Sequence, residues 1–126
     1  MRWRSERLAA RAGLSSQEIR SAEERLGVRF PTDLTRYLSL ANGLEGTDRG
    51  GFSFWPAHEF RFDDDLPSGY LGFADFLISS VEFAIRVSDA GDCDVVAVQG
   101  TVAKYVAGSF SEFVSLYLDD SLVLIE

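Results

Sequence analysis

The sequence predicts an α+β fold, with two N-terminal helices and a C-terminal helix packed on a mainly antiparallel sheet. Three observations predict it. Residues 15–41 carry apolar side chains at helical spacing. From Phe52 to Val106 the spacing changes to short alternating runs. Helical spacing then returns after Ser109. Helices followed by strands and a closing helix favour an antiparallel sheet, because parallel pairing needs a crossover after each strand.

Each element has local support. Residues 2–12 read as a short Arg-rich helix ending near Gly13. Ser15 and Glu18 have capping-box spacing, in which each side chain satisfies an amide at the helix start. Ile19, Ala22 and Leu26 then share one face, and Gly27 is a natural left-handed stop. Pro31 fits the first turn of the next helix, where its missing N–H costs nothing, and Asp33 suits the positive end of the dipole. Leu34, Tyr37, Leu38 and Ala41 form its buried stripe, ended by Asn42-Gly43.

The strand candidates are 52–54, 60–62, 71–73, 81–87, 95–99 and 102–106, with Gly100 at a turn. The run 81–87 is the clearest, because Val81, Phe83, Ile85 and Val87 alternate with more polar neighbours. Ser109 and Glu112 repeat the cap spacing before Phe110, Phe113, Val114 and Tyr117. The apolar run 122–125 either covers the domain's own sheet or pairs with a second copy, so the oligomeric state stays open.

The 126 residues fit a single domain, 1–126, with no repeat or linker. Hydrophobic residues make up 46% and charged residues 25%, a globular balance. Aromatics reach 13%, including ten Phe. Bulky rings suit a thin two-layer core, since each buries a large area. One cysteine, Cys93, excludes an internal disulfide and suits a reducing compartment. With a charged N-terminus and no apolar run of spanning length, a cytoplasmic location is expected.

The net charge of −8 is unevenly placed. Residues 1–49 hold nine Arg against seven acids, whereas residues 50–126 hold three basic residues against thirteen acids. That second half would repel a phosphate backbone, which disfavours nucleic acid and anionic membranes. It would either attract a basic protein or serve only to keep the chain soluble.

Catalytic chemistry finds little support. His58 and Cys93 are single and lie far apart, with no residue marked to orient a base. Two such residues also fall short of a structural zinc site. Asp89, Asp92 and Asp94 surround Gly91, but the spacing fails the calcium-loop pattern, and a solvated turn is the better reading. The glycines of 46–51 lack the Lys-Ser/Thr of a phosphate loop. Ser109 is a cap, not a nucleophile elbow. Asp119 and Asp120 oppose the dipole at the end of the last helix, as surface residues can. No enzyme, cofactor or metal is therefore expected.

The candidate partner-binding residues are Trp55, Glu59, Asp63, Asp64, Asp65, Asp89, Asp92 and Asp94. Three consecutive aspartates favour an exposed loop, either simply solvated or a contact for a basic partner. The set Phe52, Phe54, Trp55 and Phe60 reads first as core. An exposed Trp55 beside the acidic loop would make a good interface anchor.

A longer pattern points to a family. Ile19, Ala22-Glu23, Leu26-Gly27, Phe30-Pro31, Asp33-Leu34, Tyr37-Leu38 and Ala41-Asn42-Gly43 resemble the opening signature of the SUKH superfamily. These are bacterial immunity proteins related to the yeast cell-wall assembly regulators. Leu71-Gly72-Phe73-Ala74-Asp75, Ser80 and Phe83-Ala84-Ile85 resemble its central strands, and Val106 to Phe113 its closing helix. The resemblance covers about residues 15–120; residues 44–70 follow it loosely. It implies a SUKH-like fold and a non-enzymatic protein-binding role. The first expectation is an immunity protein that neutralises a partner toxin, such as a basic toxin domain, by stoichiometric binding. The alternative is a housekeeping regulator or scaffold of the same fold with an endogenous partner. The resemblance carries over no catalytic or binding residue.

Overall fold

A computed structural model describes residues 10–44, 52–76, 80–87 and 93–120. Its elements are β1 (Ala10–Ala12), α1 (Ser16–Leu26), α2 (Thr32–Leu40), β2 (Ala41–Leu44), β3 (Phe52–Phe54), a 3-10 turn (Ala57–Glu59), β4 (Tyr70–Phe76), β5 (Val81–Arg86), β6 (Val95–Gln99), β7 (Val102–Ala107) and α3 (Phe110–Asp120). Strands β3-β4-β5-β6-β7 form one sheet in chain order, every neighbour antiparallel. The α+β expectation therefore holds.

The helix signals act as read. Ser15 Oγ accepts from the Glu18 amide at 3.1 Å, and the Ser15 amide donates back to Glu18 Oε1 at 3.0 Å. Gly27 closes α1 in the left-handed region. Glu23 Oε2 then accepts from the Phe30 amide at 2.7 Å, which fixes the link into α2. Pro31 stands one place earlier than predicted, as the residue before the first turn. Ser109 Oγ caps α3 by accepting from the Glu112 amide at 3.0 Å. Asp33 joins the two helix starts, because its Oδ2 accepts from both the amide and the hydroxyl of Ser111.

Two expected elements are corrected. Residues 10–12 form a strand, not the end of a helix, because their backbone pairs with β2. Tertiary pairing outweighs local helix preference there. The same pairing ends α2 at Leu40 instead of Asn42-Gly43. The Asn42 carboxamide turns inward to accept from the Ala57 amide at 2.7 Å. Residues 60–62 make only an isolated bridge, Arg61 to Gly72. Phe60 is buried and Phe62 exposed, so their alternation does not mark one strand face. Conversely, β4 is longer than the 71–73 candidate. The runs 2–9, 46–51, 88–92 and 122–125 are outside the described residues, apart from their flanks.

The sheet separates two apolar layers. On one face Phe54, Ala74, Phe83 and Ala97 lie in register across four strands. They pack with Ile19, Leu34, Leu38, Phe110, Phe113 and Tyr117 of the helices. The aromatic content is concentrated here, with Phe113 against Phe54, Phe73 and Phe83 at centroid distances of 6.2, 5.1 and 5.1 Å. The opposite face carries a smaller cluster, Leu66, Ala84, Val96 and Val98, edged by Tyr70.

Two glycines separate strain from crowding. Gly27 and Gly43 both have positive φ, at 71° and 78°. A Cβ on Gly27 would meet nothing within 4 Å, whereas one on Gly43 would stand 2.6 Å from the Phe54 carbonyl oxygen. Gly27→Ala should cost about 1 kcal/mol from backbone strain alone. Gly43→Ala should cost about 3 kcal/mol or more, because β2 must also move off the Phe54–Trp55 backbone. Urea unfolding of the two variants checks this, and equal losses would contradict it.

Candidate functional site

The candidate site lies on the sheet face away from the helices. Strand register fixes which residues share that face. Asp75 pairs with Ser53 on one side and with Glu82 on the other, and Glu82 pairs with Val98. Two carboxylates thus stand side by side where strand alternation points away from the aromatic core. Gly72, Ala84 and Val96 are the next rung on this face.

The 55–69 segment folds over these strands. Leu66 covers Ala84, Val96 and Val98. Arg61 is held along β4 by backbone hydrogen bonds in both directions with Gly72. A Cβ on Gly72 would crowd this packing, standing 3.2 Å from both the Trp55 and Leu66 side chains. The Trp55 indole N–H donates to Asp75 Oδ2 at 2.7 Å. The Arg61 guanidinium stacks over the indole, 4.4 Å from the ring centroid. Its Nη2 donates to Glu82 Oε1 at 3.3 Å and its Nε to Asp63 Oδ2 at 3.4 Å.

Asp63 shapes the acidic loop by turning back on itself. Its Oδ1 accepts from the Asp65 amide at 3.2 Å, and its carbonyl accepts from the Leu66 amide. This turn leaves Asp64 and Asp65 exposed and drives Leu66 inward. The Asp65 amide, aided by Arg61, holds the Asp63 carboxyl below its usual range.

Burial pushes the Glu82 carboxyl above its usual 4.5; Arg61 opposes the shift, and Asp63, Asp75 and Asp65 add to it. A carboxyl raised on folding favours the folded state most when protonated, so stability falls as pH rises from 4.5 through the raised value. Glu82→Gln keeps the shape and removes that cost. The variant should therefore melt at a higher temperature than the parent at neutral pH, and the gap should close below pH 4.5. Thermal melts across this range check the sign. A gap that widens in acid would contradict it.

The predicted site residues divide. Asp63, Asp64 and Asp65 lie together on this face, joined by Asp75 and Glu82. Asp94 is at the Tyr70–Arg86 end of the sheet, where Tyr70 O–H donates to it and Arg86 Nη1 stands 3.9 Å away. Glu59 is exposed on the 3-10 turn, 3.6 Å from His58. Asp89 and Asp92 lie outside the described residues. Trp55 follows its first reading as core, and the exposed-anchor reading is corrected: it is only 6% exposed, because Asp75 fixes its N–H and Arg61 covers its ring. The exposed aromatic beside the aspartates is Phe62, at 42%.

Asp75, Glu82 and Arg61 are not among the candidate partner-binding residues that the sequence suggests. Alternation in 81–87 already put Glu82 on the polar side of its strand. Its pairing with Asp75 comes from strand register, and the bridge to Gly72 brings Arg61 to Glu82.

Elsewhere, an open groove of about 780 Å³ runs between Arg20, Glu23, Glu24 and the Gly27–Phe30 link. His58 is exposed, and Cys93 packs against the helix-side core. Among the described residues no group of three or more His, Cys, Asp or Glu is placed to hold a metal ion. No described helix is long and apolar enough to cross a membrane.

A comparison with curated proteins returns no match. The model of the SMI1 / KNR4 family (SUKH-1) matches residues 13–116. That span runs from the turn before α1 into the last helix and includes the whole five-stranded sheet, so this chain belongs to the SMI1 / KNR4 family (SUKH-1).

Proposed function

We propose that this chain is a non-enzymatic protein-binding module, an immunity protein that neutralises a basic toxin domain in the cytoplasm by stoichiometric binding. The observation that carries this reading is the charge of the sheet face away from the helices and of the loop that covers it. Asp63, Asp64, Asp65, Asp75 and Glu82 stand on it, and Arg61 is the guanidinium among them. Carboxylates held around a half-covered sheet face attract a positively charged surface and speed its approach. Phe62 adds an exposed ring at the edge of the patch. Membership of a family of protein-interaction modules supports binding as the activity.

Co-expression with the cognate toxin domain tests the proposal. Growth should be restored by the parent chain, and restored less by a variant with Asp63, Asp64 and Asp65 all changed to Asn. Absence of rescue by a folded parent chain would sink the immunity reading. A deletion phenotype without any toxin would favour an endogenous partner.

A further inference from the structure

Resting on that reading, we infer that Trp55, Asp75 and Glu82 form a guanidinium-receiving site, which Arg61 covers in the free protein and yields to an arginine side chain of the partner.

The first observation is a mismatch between acceptors and donors. Asp75 Oδ1 and Glu82 Oε2 are both buried and have no hydrogen-bond partner among the described residues. Asp75 is only 8% exposed. Buried carboxylate oxygens without donors are costly, so such a pair marks a place where a donor is missing. Strand pairing sets these two side chains next to each other on one face of the sheet.

The second observation is how Arg61 occupies the site. It stacks on the indole as a guanidinium does on an aromatic face, yet reaches only Glu82 Oε1 and Asp63 Oδ2, at 3.3 and 3.4 Å. Its backbone is tied along Gly72, so it approaches the carboxylate pair from the side. Its side chain is 45% exposed, which makes both ion pairs weak and easily exchanged. A guanidinium arriving from the partner approaches the face directly and can offer donors to both orphaned oxygens. A lysine ammonium lacks the planar fork and stacks less well.

The test uses N-acetyl-L-argininamide as probe and the Trp55 indole N–H resonance as readout. Arg61→Ala should bind the probe at least about tenfold more tightly than the parent, because the tethered competitor is gone. Adding Glu82→Gln or Asp75→Asn to Arg61→Ala should remove that gain. N-acetyl-L-lysinamide should bind more weakly than the arginine probe. The proposal is overturned if Arg61→Ala binds no better, if the carboxamide variants bind as well as Arg61→Ala, or if the lysine probe binds equally. Arg61 is exposed and the other two changes are isosteric, so dispersion of the same spectra reports that each variant is folded. Probe binding without growth rescue would leave this site standing and sink the immunity reading. Rescue unaffected by Glu82→Gln or Asp75→Asn, with no probe binding, would do the reverse.

Discussion

Phe113→Ala is expected to destabilise the fold by about 3–5 kcal/mol, enough to leave much of the chain unfolded at 37 °C. Phe113 is fully buried at the point where α3 meets the sheet. It touches Phe54 of β3, Phe73 of β4 and Phe83 of β5, so truncation opens one cavity under three strands. Those neighbours are themselves large rings fixed by strand register, and they cannot collapse into the space. Phe62→Ala removes the same side chain from an exposed position and should stay within about 0.5 kcal/mol of the parent. Urea unfolding of both variants checks the contrast. A loss below 1 kcal/mol at Phe113 would mean that α3 does not close the core as described.

That contrast explains what the sequence could reveal. Phe110, Phe113 and Tyr117 are spaced for one helical face, and any fold that uses them must bury that face. Ser15 with Glu18, and Ser109 with the Glu112 amide, act within one turn, so their roles need no distant residue. The misread pieces depend on partners far along the chain. Residues 10–12 are a strand only because residues 41–44 lie beside them. Phe60 and Phe62 look equivalent until the 3-10 turn and the Gly72 bridge send one inward and one outward. The site behaves the same way. Asp63 to Asp65 were visible as a run of like charges. Asp75 and Glu82 become neighbours through register, and the indole, read first as core, is fixed inward by Asp75.

Trp55→Phe should destabilise the protein by about 2–4 kcal/mol in the absence of any partner. Phenylalanine keeps an aromatic ring in the core but removes the N–H that meets Asp75 Oδ2. Asp75 Oδ1 already lacks a partner among the described residues, so the buried carboxylate would then lack a donor at either oxygen. The cost falls on the group left behind, more than on the lost bond. A second change, Asp75→Asn, removes the charge that makes the orphan expensive. Trp55→Phe/Asp75→Asn should therefore lose less stability than the two single changes predict by addition, by at least about 0.5 kcal/mol. Thermal and urea unfolding of the four proteins closes the cycle. If Trp55 were an exposed anchor, Trp55→Phe would leave the melting temperature unchanged and weaken only partner binding. Strict additivity with Asp75→Asn would separate the indole from the carboxylate, and with it the arrangement that holds Asp75 beside Glu82.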